Sequence, residues 1–393
     1  MAAFKGDLYA RAALRDPYPH YKALRDQAPA VYLPRRKMWA VSRFDDVRTV
    51  LKADSTFVSR RGVGANDLVN GATAPITLTS DDETHMRRRR VLIQPVMPPA
   101  LKELRPRLEA EADRLIAQYA TGESFEAMAT VAAHLPVSIV ADLVGLNAEA
   151  RARMLRWASA TFNLLGVLNL RGILSIPLLM QMQRFSGKLD RSLVVPGGWA
   201  DRLFDAADKG ELSRAEAKAM IIDYVAPALD TTILATGHML WRLAVTPGAY
   251  DALRAAPELV PSVVNESVRL ASPIRGFTRY AVEGFALGDT TIPKDARVLV
   301  LFASANHDER HYEAPEEFNI RRNPRDHVGW GHGPHSCVGM HLARLEMEII
   351  LDSLLRHVSS LEAGAPQLAY NNVLQGFKTL PMKFYASATG AAQ

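Results

Sequence analysis

Cysteine is nearly absent from this chain, because Cys337 is the single one among 393 residues. No disulfide bond can form within the chain, which is typical of proteins in a reducing compartment such as the cytoplasm. The sequence also lacks the serine- or glycine-rich linkers, repeats and low-complexity runs that separate domains. We therefore expect a single domain over residues 1–393.

Apolar runs long enough to cross a membrane are also missing. The N-terminus has no apolar core of the kind found in signal peptides. The largely apolar stretch 172–180 is too short, because a helix needs about 20 residues to span a bilayer. These absences predict a cytoplasmic protein that does not contact a membrane.

Aromatic residues make up only 7% of the chain, and the formal net charge is +5. The densest positive charge, the four arginines 87–90, has no aromatic residue close to it in the sequence. Nucleic-acid-binding surfaces interleave basic and aromatic side chains, so nucleic acid is not expected as a partner. An acidic protein or an acidic group of a ligand explains these arginines better.

Amphipathic helical patterns occupy most of the sequence. Strand-like alternation is confined to a hairpin at 31–42 and to short segments at 280–282, 298–302 and 382–385. The polar segment 59–75 predicts a long loop, and loops of that length are usually functional. The predicted fold class is therefore mainly α with a small β region. Helices are expected over 16–27, 43–52, 83–94, 98–119, 127–145, 147–165, 199–209, 213–245, 247–254, 258–271 and 341–357.

Cys337 lies in a glycine-rich loop immediately before the last of these helices. Gly331, Gly333 and Gly339 allow the backbone to approach a flat ligand closely. The free N–H groups at the start of a helix favour an anionic sulfur. A lone buried cysteine is otherwise most often an inert small hydrophobic residue. The glycines and the helix start together favour a thiolate that ligates a metal.

The spacing Trp-x-x-Gly-x-x-x-Cys-x-Gly, from Trp330 to Gly339, resembles the haem-thiolate signature of the cytochromes P450. The resemblance implies a triangular helical body with haem b between a long central helix and this loop. It implies that Cys337 ligates the iron, where a thiolate favours cleavage of the O–O bond, and that Trp330, Gly331 and Gly339 surround the haem. Trp330 replaces the usual phenylalanine, and its indole N–H is able to tune the potential of the iron.

Glu266 and Arg269 are three residues apart on a predicted helix, the spacing of an ordinary surface ion pair. In the P450 resemblance they match E-x-x-R, a buried structural pair behind the haem loop. The family adds a third, basic partner from a Pro-x-Arg-Phe-like segment. Here that segment is Pro-Glu-Glu-Phe at 315–318, so the third partner stays open, with a nearby base such as Arg321 as one substitute.

Asp230 and Thr231 lie in the predicted central helix, which is apolar nearly all round and should be buried. Buried polar residues require partners or a function, whereas the same residues on an exposed face would be ordinary solvated ones. The resemblance implies that Thr231 hydrogen-bonds the dioxygen substrate and that Asp230 relays protons. Pro227 and Ala228 replace the family's Ala-Gly pair, and the proline should bend the helix and open the oxygen groove.

His85 and Arg89 are four residues apart on one face of a predicted helix, so both can reach one edge of a ligand. Each alone would be an ordinary surface residue. The resemblance implies that they hold the haem carboxylates together with Arg279 and His335. The other arginines of 87–90 are predicted to face outward on the cysteine side, where an acidic ferredoxin would dock.

Several segments resemble the bacterial, ferredoxin-dependent P450s that O-demethylate methoxybenzoates. The positions that hold the benzoate carboxylate in that group correspond here to Ala72, Pro75, Ile222 and Asp223, so the acid site is predicted to be dismantled. Asp223 would repel a benzoate and suit a phenol or an amine; alternatively, it pairs with a base such as Arg275. The apolar lining is expected to include Val63, Phe162, Leu165, Ala226, Ile274 and Phe277.

The resemblance implies a monooxygenase that inserts one oxygen atom from O2 into a small hydrophobic substrate, by hydroxylation or O-demethylation. An uncharged aromatic or terpenoid-like molecule is expected, and a monomer is the default expectation. No flavin or iron–sulfur module is recognisable in the sequence, so ferredoxin and ferredoxin reductase are expected to supply electrons. Two alternatives stay open. One is a P450-type enzyme for oxidative coupling or peroxide-driven oxidation, and the other is a non-enzymatic haem-binding protein.

Overall fold

Helices predominate in the computed structural model, which describes residues 2–72, 76–145, 148–225 and 227–387. The mainly α class with a small β region is confirmed. Two π-helical turns, Met128–Ala132 and Pro136–Val140, interrupt the predicted helix over 127–145. The α-helices are α1 Arg11–Arg15, α2 Tyr18–Gln27, α3 Phe44–Lys52, α4 Asp67–Ala72, α5 Asp82–Ile93, α6 Pro98–Tyr119, α7 Ala133–Leu135, α8 Ala141–Val144, α9 Ala148–Leu165, α10 Leu170–Lys188, α11 Trp199–Asp208, α12 Arg214–Val225, α13 Asp230–Val245, α14 Ala249–Ala255, α15 Val260–Ala271, α16 Phe302–Ala305 and α17 Met340–His357.

The largest sheet has the strand order β1-β2-β8-β5-β3, and the predicted hairpin forms its β1-β2 edge. The pair β2-β8 is parallel and the other pairs are antiparallel. Phe277 and Arg279 of β5 are two residues apart, so they project from the same face of the sheet. The strands are β1 Ala30–Leu33, β2 Met38–Val41, β3 Phe57–Val58, β4 Ser124–Glu126, β5 Phe277–Ala281, β6 Phe285–Leu287, β7 Thr290–Ile292, β8 Arg297–Val300, β9 Val358–Ala363, β10 Gln367–Leu368, β11 Phe377–Thr379 and β12 Pro381–Ala386.

The central helix differs from its prediction, because residues 213–245 do not form one continuous helix. Helix α12 ends at Val225 and α13 begins at Asp230, with Pro227 between them. Proline has no N–H to donate and its ring clashes with the preceding turn, which explains a break where a bend was expected. By length and composition, the stretch Arg214–Val245 could cross a membrane, but about half of it is buried inside the protein.

Helix α10 was not predicted from the sequence. It contains Gly172 and Pro177, two residues that usually argue against a helix. Its outer face also carries apolar side chains, since Leu170 and Leu174 are mostly exposed. The start signal was nevertheless present, because the side chain of Asn169 accepts a hydrogen bond from the Gly172 N–H at 3.2 Å.

The buried pair Glu266–Arg269 lies on α15, which packs between α13 and α17. Both side chains are fully buried, and the guanidinium donates to the two carboxylate oxygens at 2.7 and 2.8 Å. The third partner is Arg322, whose Nε donates to Glu266 Oε1 at 3.1 Å. A nearby base thus takes the third place as expected, but it is not Arg321, which is exposed and whose backbone N–H bonds to the side chain of Asn319.

Candidate active site

One cavity of about 520 Å³ lies between α13, the cysteine loop, α9 and β5. Asp230 is adjacent to it on α13 but does not line it, and Glu266 and Arg269 lie away from it as a structural pair. Ala226 lies outside the described residues. The predicted site residues that line the cavity are Val63, His85, Arg89, Phe162, Leu165, Asp223, Thr231, Ile274, Phe277, Arg279, Trp330, Gly331, His335, Cys337 and Gly339.

The cysteine loop needs glycine at two positions for backbone reasons. Gly331 has φ +69° and Gly333 has φ +71°, in the region that favours glycine. A Cβ at position 333 would also lie 2.5 Å from the carbonyl oxygen of Leu51, at the end of α3. Gly339 has φ −83°, so its freedom at positive φ is not used. The loop is therefore held against α3 by close backbone packing.

The Cys337 thiol faces the cavity beside the start of α17. Cys337 is exposed on its cavity side. The protein packed around it desolvates the sulfur and raises its pKa above the ordinary value, while the N–H groups of Gly339 and Met340 and the charge of Arg89 oppose that rise. The helix start thus acts in the predicted direction, but desolvation outweighs it and favours the neutral thiol. A bound metal ion deprotonates a coordinating thiol. A metal cation at this sulfur would therefore stabilise the thiolate despite the desolvation that otherwise favours the neutral thiol.

Four basic side chains meet at one end of the cavity. The rings of His85 and His335 are in contact, with centroids 4.1 Å apart and planes tilted by 36°. Burial lowers the pKa of His85 to about 4 and also lowers that of His335, so at neutral pH both rings are uncharged N–H donors. Burial lowers the pKa of Arg279 to about 10, which leaves it charged. In the described part of the chain neither Arg279 nor Arg89 forms an ion pair; Arg89 donates to the Ser336 hydroxyl at 3.2 Å.

These residues fit a haem. Arg279 is buried and Arg89 is half-buried, and neither has a carboxylate partner in the described part of the chain. A buried charge is costly unless it is paired, so these guanidinium groups favour anions. Two propionates would supply those anions, the apolar walls would cover the ring, and the Cys337 sulfur would ligate the iron. The indole Nε1 of Trp330, at the same loop, is buried and has no hydrogen-bond partner among the described residues.

Asp230 and Thr231 form the first turn of α13. The Thr231 hydroxyl donates to the Pro227 carbonyl at 2.8 Å, which leaves its oxygen able to accept a hydrogen bond on the cavity side. Burial raises the pKa of Asp230 to about 7, and its Oδ2 has no hydrogen-bond partner among the residues that the structure describes. This carboxyl group can therefore gain or lose a proton near neutral pH.

Asp223 does not pair with Arg275, so that alternative is wrong. Arg275 instead donates to the carbonyl groups of Leu14 and Asn371 and to the side chain of Gln375. Asp223 lines the cavity and accepts the backbone N–H of Thr77 at 2.9 Å. Ile222 also lines the cavity, whereas Pro75 lies outside the described residues.

The prediction that Arg87, Arg88 and Arg90 all face outward is also wrong in part. Arg88 is buried, and both Arg87 and Arg88 are engaged by Glu216 of α12 at 2.6 and 3.0 Å. Only Arg90 of this group is exposed without such a partner among the described residues. The four-arginine run thus mainly joins α5 to α12, a tertiary contact that the local sequence does not reveal.

Comparison with known proteins agrees with this geometry. The family profile described as Cytochrome P450 matches residues 199–385, which include the acid–threonine pair, E-x-x-R and the cysteine loop. The chain is 33% identical to the cytochrome P450 CYP199A2 of Rhodopseudomonas palustris, over 96% of this chain and 93% of that protein. It is 28% identical to the beta-dihydromenaquinone-9 omega-hydroxylase of Mycobacterium tuberculosis, over 92% of this chain and 74% of that protein.

Solved structures agree as well. The cytochrome P450 CYP109Q5 from Chondromyces apiculatus superposes with a TM-score of 0.81 at 26% identity, covering 98% of this chain and 99% of that one. An epothilone D-bound P450, which is 23% identical, shares the fold with a TM-score of 0.83, over 98% of this chain and all of that one. The cavity, the cysteine loop and these similarities together show that the chain belongs to the cytochrome P450 family.

Proposed function

We propose that this P450 monooxygenase oxidises small, hydrophobic aromatic molecules by hydroxylation or O-demethylation, with electrons from a ferredoxin and its reductase. In hydroxylation, a C–H bond, O2, two electrons and two protons give an alcohol and water. In O-demethylation, the same insertion at a methoxy carbon gives a hemiacetal that breaks down to a phenol and formaldehyde. The observation that carries the proposal is a thiol, unpaired guanidinium groups and an apolar chamber around one cavity.

The P450 cofactor is haem b, which supplies oxygen activation when it is bound. We assign Cys337 as the residue that would ligate its iron, while His85, Arg89, Arg279 and His335 would hold its carboxylates. Trp330, Gly331 and Gly339 would pack against the ring on the cysteine side. The guanidinium groups would gain the anionic partners that they lack among the described residues.

The proton path is assigned to the first turn of α13. Thr231 would hold a water or the dioxygen substrate at its hydroxyl oxygen, because its proton is already directed to the Pro227 carbonyl. Asp230 would deliver protons through the break between α12 and α13, since a carboxyl with a pKa of about 7 exchanges protons readily at neutral pH. The apolar walls would exclude bulk water from the reaction.

The apolar lining supports the substrate class. Val63, Phe162, Leu165, Ile274 and Phe277 bring aliphatic and aromatic surface to the cavity from α9, β5 and the segments before them. Such a lining suits an apolar ring and offers few polar anchors. The similarity to CYP199A2 agrees with a bacterial P450 of this type but does not identify a substrate.

A ferredoxin would dock on the cysteine side. The loop packs on the end of α3, where Lys52 is exposed and Arg48 is partly exposed. Arg48, Lys52 and Arg90 would form the docking surface, in place of the cluster of Arg87, Arg88 and Arg90 that the sequence predicted. An acidic partner would be attracted there, and electron transfer would be short because the loop carries Cys337. We further propose a monomer in the cytoplasm.

Two measurements test this function. The reduced, haem-loaded protein should form a carbon monoxide complex with the long-wavelength absorption of thiolate ligation, and Cys337→Ala should lose it. Turnover of methoxyphenols should be faster with ferredoxin and reductase than with hydrogen peroxide. Faster turnover with peroxide would instead support the peroxide-driven alternative. A relative named as a hydroxylase argues against a non-enzymatic haem protein.

A further inference from the structure

A second, smaller cavity lies between the segment before α1, helix α2 and strand β8. Its volume is about 20 Å³, more than the roughly 10–15 Å³ that one water molecule needs. None of its lining residues lines the large cavity, so it is separate from the candidate active site. Its polar lining side chains are those of Tyr9, Tyr21, Arg275 and Asn372.

Arg275 brings a positive charge to this cavity without an opposite charge beside it. Its side chain is only 6% exposed and, within the described ranges, forms no ion pair. Its three hydrogen bonds go to uncharged acceptors, the Leu14 and Asn371 carbonyl groups at 3.1 and 3.4 Å and the Gln375 side chain at 3.3 Å. Burial lowers its pKa, and no acidic side chain is among the groups that act most strongly on it. A guanidinium group stays charged in proteins, and a buried unpaired charge is costly, so the site favours an anion.

Two tyrosine hydroxyl groups add hydrogen-bond donors to the same cavity. The side chains of Tyr9 and Tyr21 are both buried. Neither hydroxyl forms a hydrogen bond with any residue that the structure describes, yet neither is sealed from open space. Burial raises the pKa of both groups, that of Tyr21 to about 12, so each keeps its proton at neutral pH. Both hydroxyls are therefore free to donate to a small ligand in this cavity.

The supply of donors and acceptors favours an anion over a water molecule. Water donates as well as accepts, so it needs both kinds of partner. No carboxylate lines this cavity in the described part of the chain, and the side-chain oxygen of Asn372 already accepts from Asn169 at 2.8 Å. An anion only accepts, and its hydrogen bonds are stronger than those of a neutral group. The small volume leaves no room for phosphate, sulfate or an organic acid, whereas chloride is close to water in size.

We propose that Arg275, Tyr9 and Tyr21 form a binding site for one chloride ion, which accepts hydrogen bonds from the guanidinium group and from both hydroxyls. The site lies outside the proposed oxidation chemistry and would stabilise the fold. Arg275 follows Ile274 of the large cavity, and its backbone N–H donates to the Val373 carbonyl at 3.0 Å. The ion would thus hold the segment that carries Ile274 against the N-terminal part of the chain.

The test follows the stability of the haem-loaded protein while sodium gluconate is replaced by sodium chloride at constant ionic strength. Constant ionic strength keeps general screening equal, so the remaining change reports a specific ion. The midpoint of urea unfolding should rise with chloride and level off when the site is filled. Crystals soaked in sodium bromide should show an anomalous peak within hydrogen-bond distance of Arg275 and Tyr21.

Variants assign the chloride response to these three residues. Tyr21→Phe and Tyr9→Phe each remove one donor but keep the ring, and each should weaken chloride affinity roughly tenfold or more, the range for one hydrogen bond to a charged group. Arg275→Gln should abolish the response. Arg15→Gln is the matched control, because it removes an exposed positive charge from the end of α1 and should leave the response intact. If Arg275→Gln does not fold, the two tyrosine variants still test the site.

Three outcomes would overturn the proposal. Equal unfolding midpoints in chloride and gluconate would assign the cavity to an ordered water molecule. A chloride response that persists in both tyrosine variants would place the ion elsewhere. A bromide peak without any effect of chloride on stability would mean binding at crystal concentration only. None of these outcomes changes the carbon monoxide spectrum of the haem-loaded protein, so each is distinct from a failure of the monooxygenase function.

Discussion

Replacing Arg322 with alanine should destabilise the protein, whereas the same change at its neighbour Arg321 should not. Arg322 donates to Glu266 at 3.1 Å and to the carbonyl groups of Glu313 and Ala314 at 2.7 and 3.1 Å. Its side chain is only 15% exposed, while Arg321 is exposed and its side chain has no bond among the described contacts. The pair of variants therefore isolates the buried contact from the removal of a positive charge.

The magnitude follows from what remains after the change. Glu266 would keep both hydrogen bonds from Arg269 and the N–H of Asn319 at 3.1 Å, so the buried charge stays compensated. The bonds from Arg322 to the carbonyl groups of Glu313 and Ala314 are exposed, so water can replace them. The loss should therefore be that of one charge-assisted hydrogen bond, about 1.5–3 kcal/mol. Removal of Arg269 would leave Glu266 buried with weaker compensation and cost about 3–5 kcal/mol, a large part of the stability of a typical protein.

Urea unfolding of the haem-loaded proteins, followed by far-UV circular dichroism, measures these differences. Arg322→Ala should lower the transition midpoint without a change in slope, and Arg321→Ala should differ from the parent by less than about 0.5 kcal/mol. Equal midpoints for the two variants would show that Arg322 is not the third partner. A larger effect of Arg321→Ala would restore the expectation from the sequence.

Three further substitutions test other parts of the protein. Glu346 is fully buried on α17, and burial raises its pKa to about 8. The folded protein should therefore lose stability as the pH rises from the ordinary glutamate pKa to about 8, and Glu346→Gln should weaken this pH dependence of the unfolding free energy, measured by urea unfolding at several pH values. Asp230→Asn should lower the turnover number at least tenfold and remove a pH dependence near 7, as measured by product formation across the neutral range; an unchanged pH profile would contradict proton transfer by Asp230. Gly333→Ala should destabilise the cysteine loop by about 1–2 kcal/mol from positive φ alone, with more from the contact with Leu51, seen as a lower melting temperature and faster haem loss.

Short-range spacing predicted much of the site. The cysteine loop precedes α17 as expected, and the spacing of His85 and Arg89 places both at the cavity. Such features depend on residues within one or two helical turns, where sequence fixes geometry. The sequence also indicated that Pro227 would disturb the central helix, although not that the helix would stop.

The missed features depend on distant contacts. Whether Arg321 or Arg322 reaches Glu266 is decided by the conformation of a loop that is 56 residues from Glu266 in the chain. The inward position of Arg88 follows from Glu216, which lies on another helix. No sequence motif predicted the hydrogen bond between Thr77 and Asp223, because it depends on the approach of α12 to the turn that contains Thr77. Helix α10 was hidden by its exposed leucines, which obscure an amphipathic pattern.

The interruption between α12 and α13 separates two tasks along the chain. Asp223 on α12 and Thr231 on α13 both line the cavity. Under the proposed function, Asp223 would contact the organic substrate and Thr231 would serve O2. Because the described residues between the two helices, 227–229, are not helical, amino acid changes that reshape α12 need not tilt α13. The substrate side of the pocket could thus change during evolution while the groups proposed to handle oxygen stay in place.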